Sequence, residues 1–130
     1  MLETLNTSST TLVSDQTIPL GGVSAKSNNN ASLNGDGIEL NRVGYFDVKA
    51  QFVLVATSAS VVTVQMYVDG NAVNGAFSSE TATEGATVAL NLEKVVKIVP
   101  TIENTKATVT YKVSTGSTLT NAVVNVVQLY

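Results

Sequence analysis

The chain has no cysteine, no histidine and no tryptophan, and only two prolines in 130 residues. Without thiols and imidazoles it has no disulfides, no thiolate nucleophile, no histidine base and none of the usual soft or borderline metal ligands. No cofactor and no metal are expected. Charge is equally sparse: Asp, Glu, Lys and Arg make up 13% of the chain, and seven cations against ten anions leave a net charge of -3. The basic footprint of a nucleic-acid binder is missing. The longest stretches free of polar residues, such as Phe52 to Ala56, are short, far below the ~20 residues a helix needs to cross a bilayer, so no membrane partner is expected. The opening Met1-Leu2-Glu3-Thr4-Leu5-Asn6 carries an acid where a secretory signal has Lys or Arg, and no apolar run follows. Synthesis without a signal peptide is the expectation.

What is abundant points one way. Valine fills 21 positions, and Ser, Thr and Asn together fill 41. Val and Thr favour strands, while Asn and Ser favour turns. A hydrophobic share of 44% in a chain of 130 residues suffices for one domain that buries about two-thirds of its unfolded surface. Residues 1–15 are rich in Ser and Thr and have no aromatic; they read as a polar N-terminal arm whose Leu2, Leu5 and Leu12 dock on a partner. Residues 16–130 form the folded domain. There, short apolar runs alternate with turn residues at the spacing of a β-sandwich or barrel, and no internal repeat of about 20 to 50 residues is present.

A first strand is predicted over Thr17–Val23, a loop over Lys26–Gly37 and a short strand over Ile38–Leu40. Gly44–Ala56 is the clearest strand, because Phe46, Val48, Ala50, Phe52, Leu54 and Ala56 recur at period two and make a core face. Its other face begins with Asp47, Lys49 and Gln51 and turns apolar at Val53 and Val55, so something must cover that end. Val61–Asp69 alternates with Val62, Val64, Met66 and Val68 inward, and Asp69-Gly70 or Gly70-Asn71 supplies the positive-φ residues of a tight hairpin into Ala72–Phe77. Thr87–Leu92 and Val95–Val99 read as two strands, the second stopped by Pro100. Ala107–Val113 points Ala107, Val109, Tyr111 and Val113 inward. The last strand, Ala122–Tyr130, has Val124 and Val126 on one face and Val123, Val127 and Leu129 on the other, and one of these apolar faces is expected to meet another subunit.

Gly37-Ile38-Glu39-Leu40, Gly44-Tyr45-Phe46-Asp47-Val48, the hairpin from Val62 to Asn71, Ala107-Thr108-Val109-Thr110-Tyr111 and the closing Val126-Val127-Gln128-Leu129-Tyr130 together make a recognisable series. It resembles the trimeric complement C1q and tumour-necrosis-factor-like jelly rolls, in the compact version found in bacteriophage structural proteins and spore-surface proteins, over about Ile18–Tyr130. The resemblance implies an all-β, antiparallel jelly-roll β-sandwich that assembles as a homotrimer, one sheet of each protomer facing its neighbours. It puts the second faces of the Tyr45 and Ala122 strands along the threefold axis. The interface residues expected on that basis, or as aromatics lying off the core faces, are Tyr45, Val53, Val55, Tyr67, Val123, Val127, Leu129 and Tyr130. The chain departs from the family in its few aromatics, three Phe and four Tyr, and in having no Gly-X-Y stretch. The phage branch fits this better than a collagen-stalked one.

The function so implied is that of a non-enzymatic bacteriophage virion structural protein, a trimeric capsid decoration or head-fibre protein. It would be made in the host cytoplasm, exposed on the particle surface, and attached to a capsid or other virion protein by the arm, through Leu2, Leu5 and Leu12. The alternative is a carbohydrate- or host-surface-binding receptor module of a phage tail, baseplate or bacterial surface, using end loops such as Ser27–Gly37 or Ser78–Gly85. Other constellations carry less. Asn34-Gly35-Asp36-Gly37-Ile38-Glu39 offers oxygen ligands, but one Asp and one Glu fall short of the calcium-loop spacing. Asp47 with Asp69, or Glu80 with Glu84, are the carboxylate pairs to weigh for glycoside hydrolysis; they read as solvated charges. Ser58 and Ser60 have no histidine to activate them. Lys94, Lys97, Lys106 and Lys112 read as outward guards against edge pairing.

Overall fold

A computed structural model describes residues 1–99 and 106–130. Among these residues the chain forms no helix and eleven strands: β1 (Leu2–Asn6), β2 (Thr10–Leu12), β3 (Gly22–Lys26), β4 (Ala31–Asn34), β5 (Gly37–Leu40), β6 (Gly44–Ala56), β7 (Ser60–Val68), β8 (Asn71–Ala82), β9 (Thr87–Ile98), β10 (Ala107–Val113) and β11 (Ser117–Gln128). Sheet I runs β3-β1-β11-β6-β9, with β2 also paired to β11; sheet II runs β4-β5-β10-β7-β8. All pairings are antiparallel. From β5 onward every connection except the β7–β8 hairpin crosses between the sheets. That alternation makes the domain a jelly-roll β-sandwich.

Period-two patterning fixes which residues lie between the sheets. The alternate residues of β6 from Phe46 to Ala56 are buried, as are Val88, Leu90, Leu92, Val96 and Ile98 of β9. From sheet II, Val62, Val64 and Met66 meet them together with Ala107, Val109, Tyr111 and Val113. Phe52 and Tyr111 touch across the gap with ring centroids 5.0 Å apart at 58°. Each such large side chain stabilises the fold by about 1.5–3 kcal/mol through burial. Asp69 (φ 51°) and Gly70 (φ 83°) form the two-residue turn between Val68 and Asn71, a type I′ geometry that matches the strand twist. Asp69 Oδ1 also accepts a 2.9 Å hydrogen bond from the Thr108 amide.

Other expectations need correction. Residues 1–15 are not an arm: β1 pairs with both β11 and β3, β2 pairs with β11, and Leu2 and Leu12 are buried in the core. The division at residue 15 therefore disappears. Thr4 and Asn6 share the inward face with Leu2 and are themselves buried, so the apolar alternation that marks a strand is masked by polar side chains. The Thr17–Val23 stretch holds only a bridge from Thr17 to Lys112, and β3 starts at Gly22. Pro19 has no amide to give a ladder, yet Ile18 and Leu20 are fully buried. The Lys26–Gly37 loop contains β4, whose Leu33 packs on the core. Thr87–Ile98 is one strand rather than two, paired with β6 along its length; Pro100 lies outside the described residues.

β11 begins at Ser117 because Thr120 forms a bulge: Leu119 pairs with Leu54 but Asn121 with Val53. The extra residue lets Leu119 and Ala122 both face the core although they are three apart. β8 extends to Ala82 by a larger irregularity. Tyr67 pairs with Ala72 but Gln65 with Phe77, and the Gln65 amide fills the gap, with its Nε2 2.8 Å from the Val73 carbonyl and 3.2 Å from that of Ala76.

Candidate functional site

The outward residues of sheet I stand in rows across the strands. One row is Leu5, Val123, Gln51 and Asn91; the next is Glu3, Asn125, Lys49 and Glu93; the next is Val127, Asp47 and Val95. Beyond these, Val53 pairs with Asn121 and Ala89 toward one end. Toward the other, Tyr45 pairs with Lys97. Val53, Val55 and Val123 are half-buried within the single chain, while Leu5, Val95 and Val127 are 40%, 48% and 45% exposed. An apolar face is thus crossed by one charged row.

The C-terminus completes this face. The Tyr45 amide donates to the Tyr130 carbonyl and the Leu129 amide to the Tyr45 carbonyl, both at 2.7 Å. This close approach needs Gly44, since a Cβ there would collide with the Tyr130 main chain. The Tyr45 and Tyr130 rings meet edge to face at 5.2 Å, and the Lys97 ammonium lies 5.6 Å from the Tyr45 ring centroid. Leu129 and Tyr130 are nevertheless exposed. Lys49 Nζ lies 3.3 Å from Glu93 in the same charged row and 3.8 Å from Asp47 in the next row. Asp47 Oδ1 is shielded from solvent and has no hydrogen-bond partner. A depression of about 340 Å³ opens over this region, lined by Lys49, Gln51, Asn91, Glu93, Val123 and Asn125.

Seven of the eight expected contact residues, Tyr45, Val53, Val55, Val123, Val127, Leu129 and Tyr130, share this face or its C-terminal extension. Tyr67 does not: it lies on β7 in sheet II, with the Lys112 ammonium 4.9 Å from its ring centroid. Leu5 was expected to attach the arm and instead faces outward beside Val123; Leu2 and Leu12 are core and cannot dock on a partner. Sequence reading missed the β9 contribution, Asn91, Glu93, Val95 and Lys97, because splitting the strand at Glu93-Lys94 hid their common face. The register with β6 restores it.

The remaining candidates have local roles. Asn34 Nδ2 donates to Glu39 at 2.7 Å across the β4–β5 hairpin, and Ser60 Oγ donates to the Ser58 carbonyl at 3.2 Å. Asp47 and Asp69 belong to different sheets. Glu80 lies on β8, beside Val62, while Glu84 follows in the turn to β9.

No protein-family model and no curated protein matches the chain in sequence. Solved structures match over almost its whole length. The globular domain of zebrafish complement 1qA aligns with 99% of this chain and 96% of its own at 7% identity, with a TM-score of 0.71. The Eiger TNF of S. frugiperda aligns over 99% and 92% at 8% identity with a TM-score of 0.74, and murine APRIL over 99% and 100% at 10% identity with a TM-score of 0.70. At such identities the likeness is one of fold: the sandwich is a C1q/TNF-like jelly roll.

Proposed function

We propose that the chain is a non-enzymatic assembly domain that forms a homotrimer through the outer face of sheet I and serves as a bacteriophage virion protein, a capsid decoration or head fibre. The observation that carries the self-association is the uncovered apolar surface formed by Leu5, Val95, Val127, Leu129 and Tyr130 around half-buried Val53, Val55 and Val123. Exposed apolar surface of this kind, here in two parts on either side of the charged row, marks interaction sites, and a stable interface needs about 800 Å² from each partner. The threefold stoichiometry is the one the family resemblance implies. Placement on a virion is supported by the same resemblance and by a thiol-free, hydroxyl-rich chain. With Leu2 and Leu12 buried, contact with a capsid protein falls to a part of the sandwich other than an N-terminal arm.

Light scattering behind size-exclusion chromatography tests the assembly: the full chain should elute with the mass of three copies, and a one-chain mass at micromolar concentration would overturn the reading. Virion membership is checked separately by whether the chain bands with purified particles in a density gradient; absence from banded particles ends that part alone. A second reading, contact with host-surface carbohydrate, draws on the outer face of sheet II, where Phe77 is exposed beside Gln65 and Thr63 pairs with Ser79. A glycan array without hits would remove it.

A further inference from the structure

We infer that the charged row across sheet I fixes the register of self-association, with Glu93 of one copy pairing with Lys49 of the next. The inference rests on the self-association reading and adds the residues that choose the partner's position. The row alternates in sign, Glu3 on β1, Lys49 on β6 and Glu93 on β9, with the neutral Asn125 between the first two. The row of Leu5, Val123, Gln51 and Asn91 lies on one side of it and the row of Val127, Asp47 and Val95 on the other. A partner packed on this face must also meet the charges, and a slip by one row along the strands takes its Glu93 off Lys49 and sets it either against Asp47, a like charge, or against the uncharged Val123 and Gln51. Burial of an unpaired charge opposes such a slip.

β9 is an edge strand of sheet I and β6 is interior to it. In a closed ring of copies every contact is heterologous, joining two different surfaces, and the β9 edge of one copy against the β6 face of the next is one such contact. Glu93 on the edge then meets Lys49 on the face. A twofold contact can form the same pair reciprocally, so the assembled mass distinguishes two copies from a ring. Both side chains keep capacity for a second partner: they are 62% and 55% exposed although 3.3 Å apart within the chain. The depression of about 340 Å³ beside them gives the incoming carboxylate room.

Charge reversal tests this with the full chain. Lys49→Glu and Glu93→Lys, each alone, should lose the assembled mass while keeping the thermal unfolding of a folded chain, because both positions are exposed. Mixed in equal amounts, the two variants should associate with each other. Two of the three contacts in any mixed ring become complementary, so the recovered mass is partial, and a tagged variant should retain the other variant but, without it, no untagged copy of its own kind. A pair formed only within each chain gives no recovery on mixing. Wild-type mass in both single variants, or a mixture that stays at one-chain mass, overturns the register role while leaving self-association intact. A wild-type chain that elutes as one copy overturns both.

Discussion

The two outer faces of the sandwich are built on the same alternation and carry different proportions of apolar and hydroxyl side chains. Sheet I presents Tyr45, Val53, Val55, Val95, Val123 and Val127 around its charged row. Sheet II presents Thr63, Thr81, Ser79, Thr108 and Thr110, with the Lys112 ammonium over Tyr67. Threonine keeps the β-branched shape that suits a strand while its hydroxyl remains hydrated. Valine at the same kind of position gains nothing from water and favours a cover. Strand propensity is therefore satisfied on both faces, and the larger share of Val on sheet I and of Ser and Thr on sheet II distinguishes them, although Val61 and Phe77 are exposed on sheet II as well.

The sharpest way to break that contrast is to put the same charge on each face. Val127→Asp on sheet I leaves an unpaired carboxylate in the proposed interface, a loss of about 3–5 kcal/mol, enough to shift association by more than about 100-fold. Val61→Asp on sheet II replaces a valine of similar exposure, 51% against 45%, and should stay within about 0.5 kcal/mol with its assembled mass intact. Light scattering reads both. Equal masses for the two variants would mean that the faces are functionally alike.

A second change sharpens the contrast from inside sheet II. Gln65→Leu removes the amide that serves the Val73 and Ala76 carbonyls in the β8 irregularity. Loss of that donor should lower stability by about 1–3 kcal/mol, read as a lower urea midpoint with unchanged assembled mass. If the midpoint holds, the amide does not organise the irregularity; if the mass falls, the two sheets are not independent.

Legibility in the sequence followed the same division. Strands with clean alternation, β6, β7 and β10, were readable from period two, and so was the outward apolar set on β6 and β11. What could not be read was whatever broke that period. Thr4 and Asn6 put polar residues at inward positions and made β1 look like an arm, the Thr120 bulge shifted the parity of β11, and Glu93-Lys94 cut β9 in half. Tyr67 was grouped with the sheet I residues because alternation shows that a side chain points outward without showing from which sheet. That assignment depends on long-range pairing, which no local pattern contains.

Tyr111, lodged between the sheets, gives the smallest expected effect. Its hydroxyl is buried and has no hydrogen-bond partner among the described residues, so Tyr111→Phe removes an uncompensated polar group and should raise stability by up to about 1 kcal/mol at neutral pH. Burial also raises its pKa above the ordinary tyrosine value of about 10 by disfavouring the phenolate. Above pH 10 the unfolded chain releases this proton while the folded chain holds it. The associated stability is therefore complete below about pH 10 and falls above it by up to about 1.4 kcal/mol per pH unit. The phenylalanine variant lacks this component and shares every other titration, so urea midpoints of the two proteins should diverge between about pH 10 and 11. Midpoints that run parallel through that range would show that the hydroxyl finds a partner or solvent, and that the space between the sheets is less dry than the packing of Phe52 against Tyr111 implies.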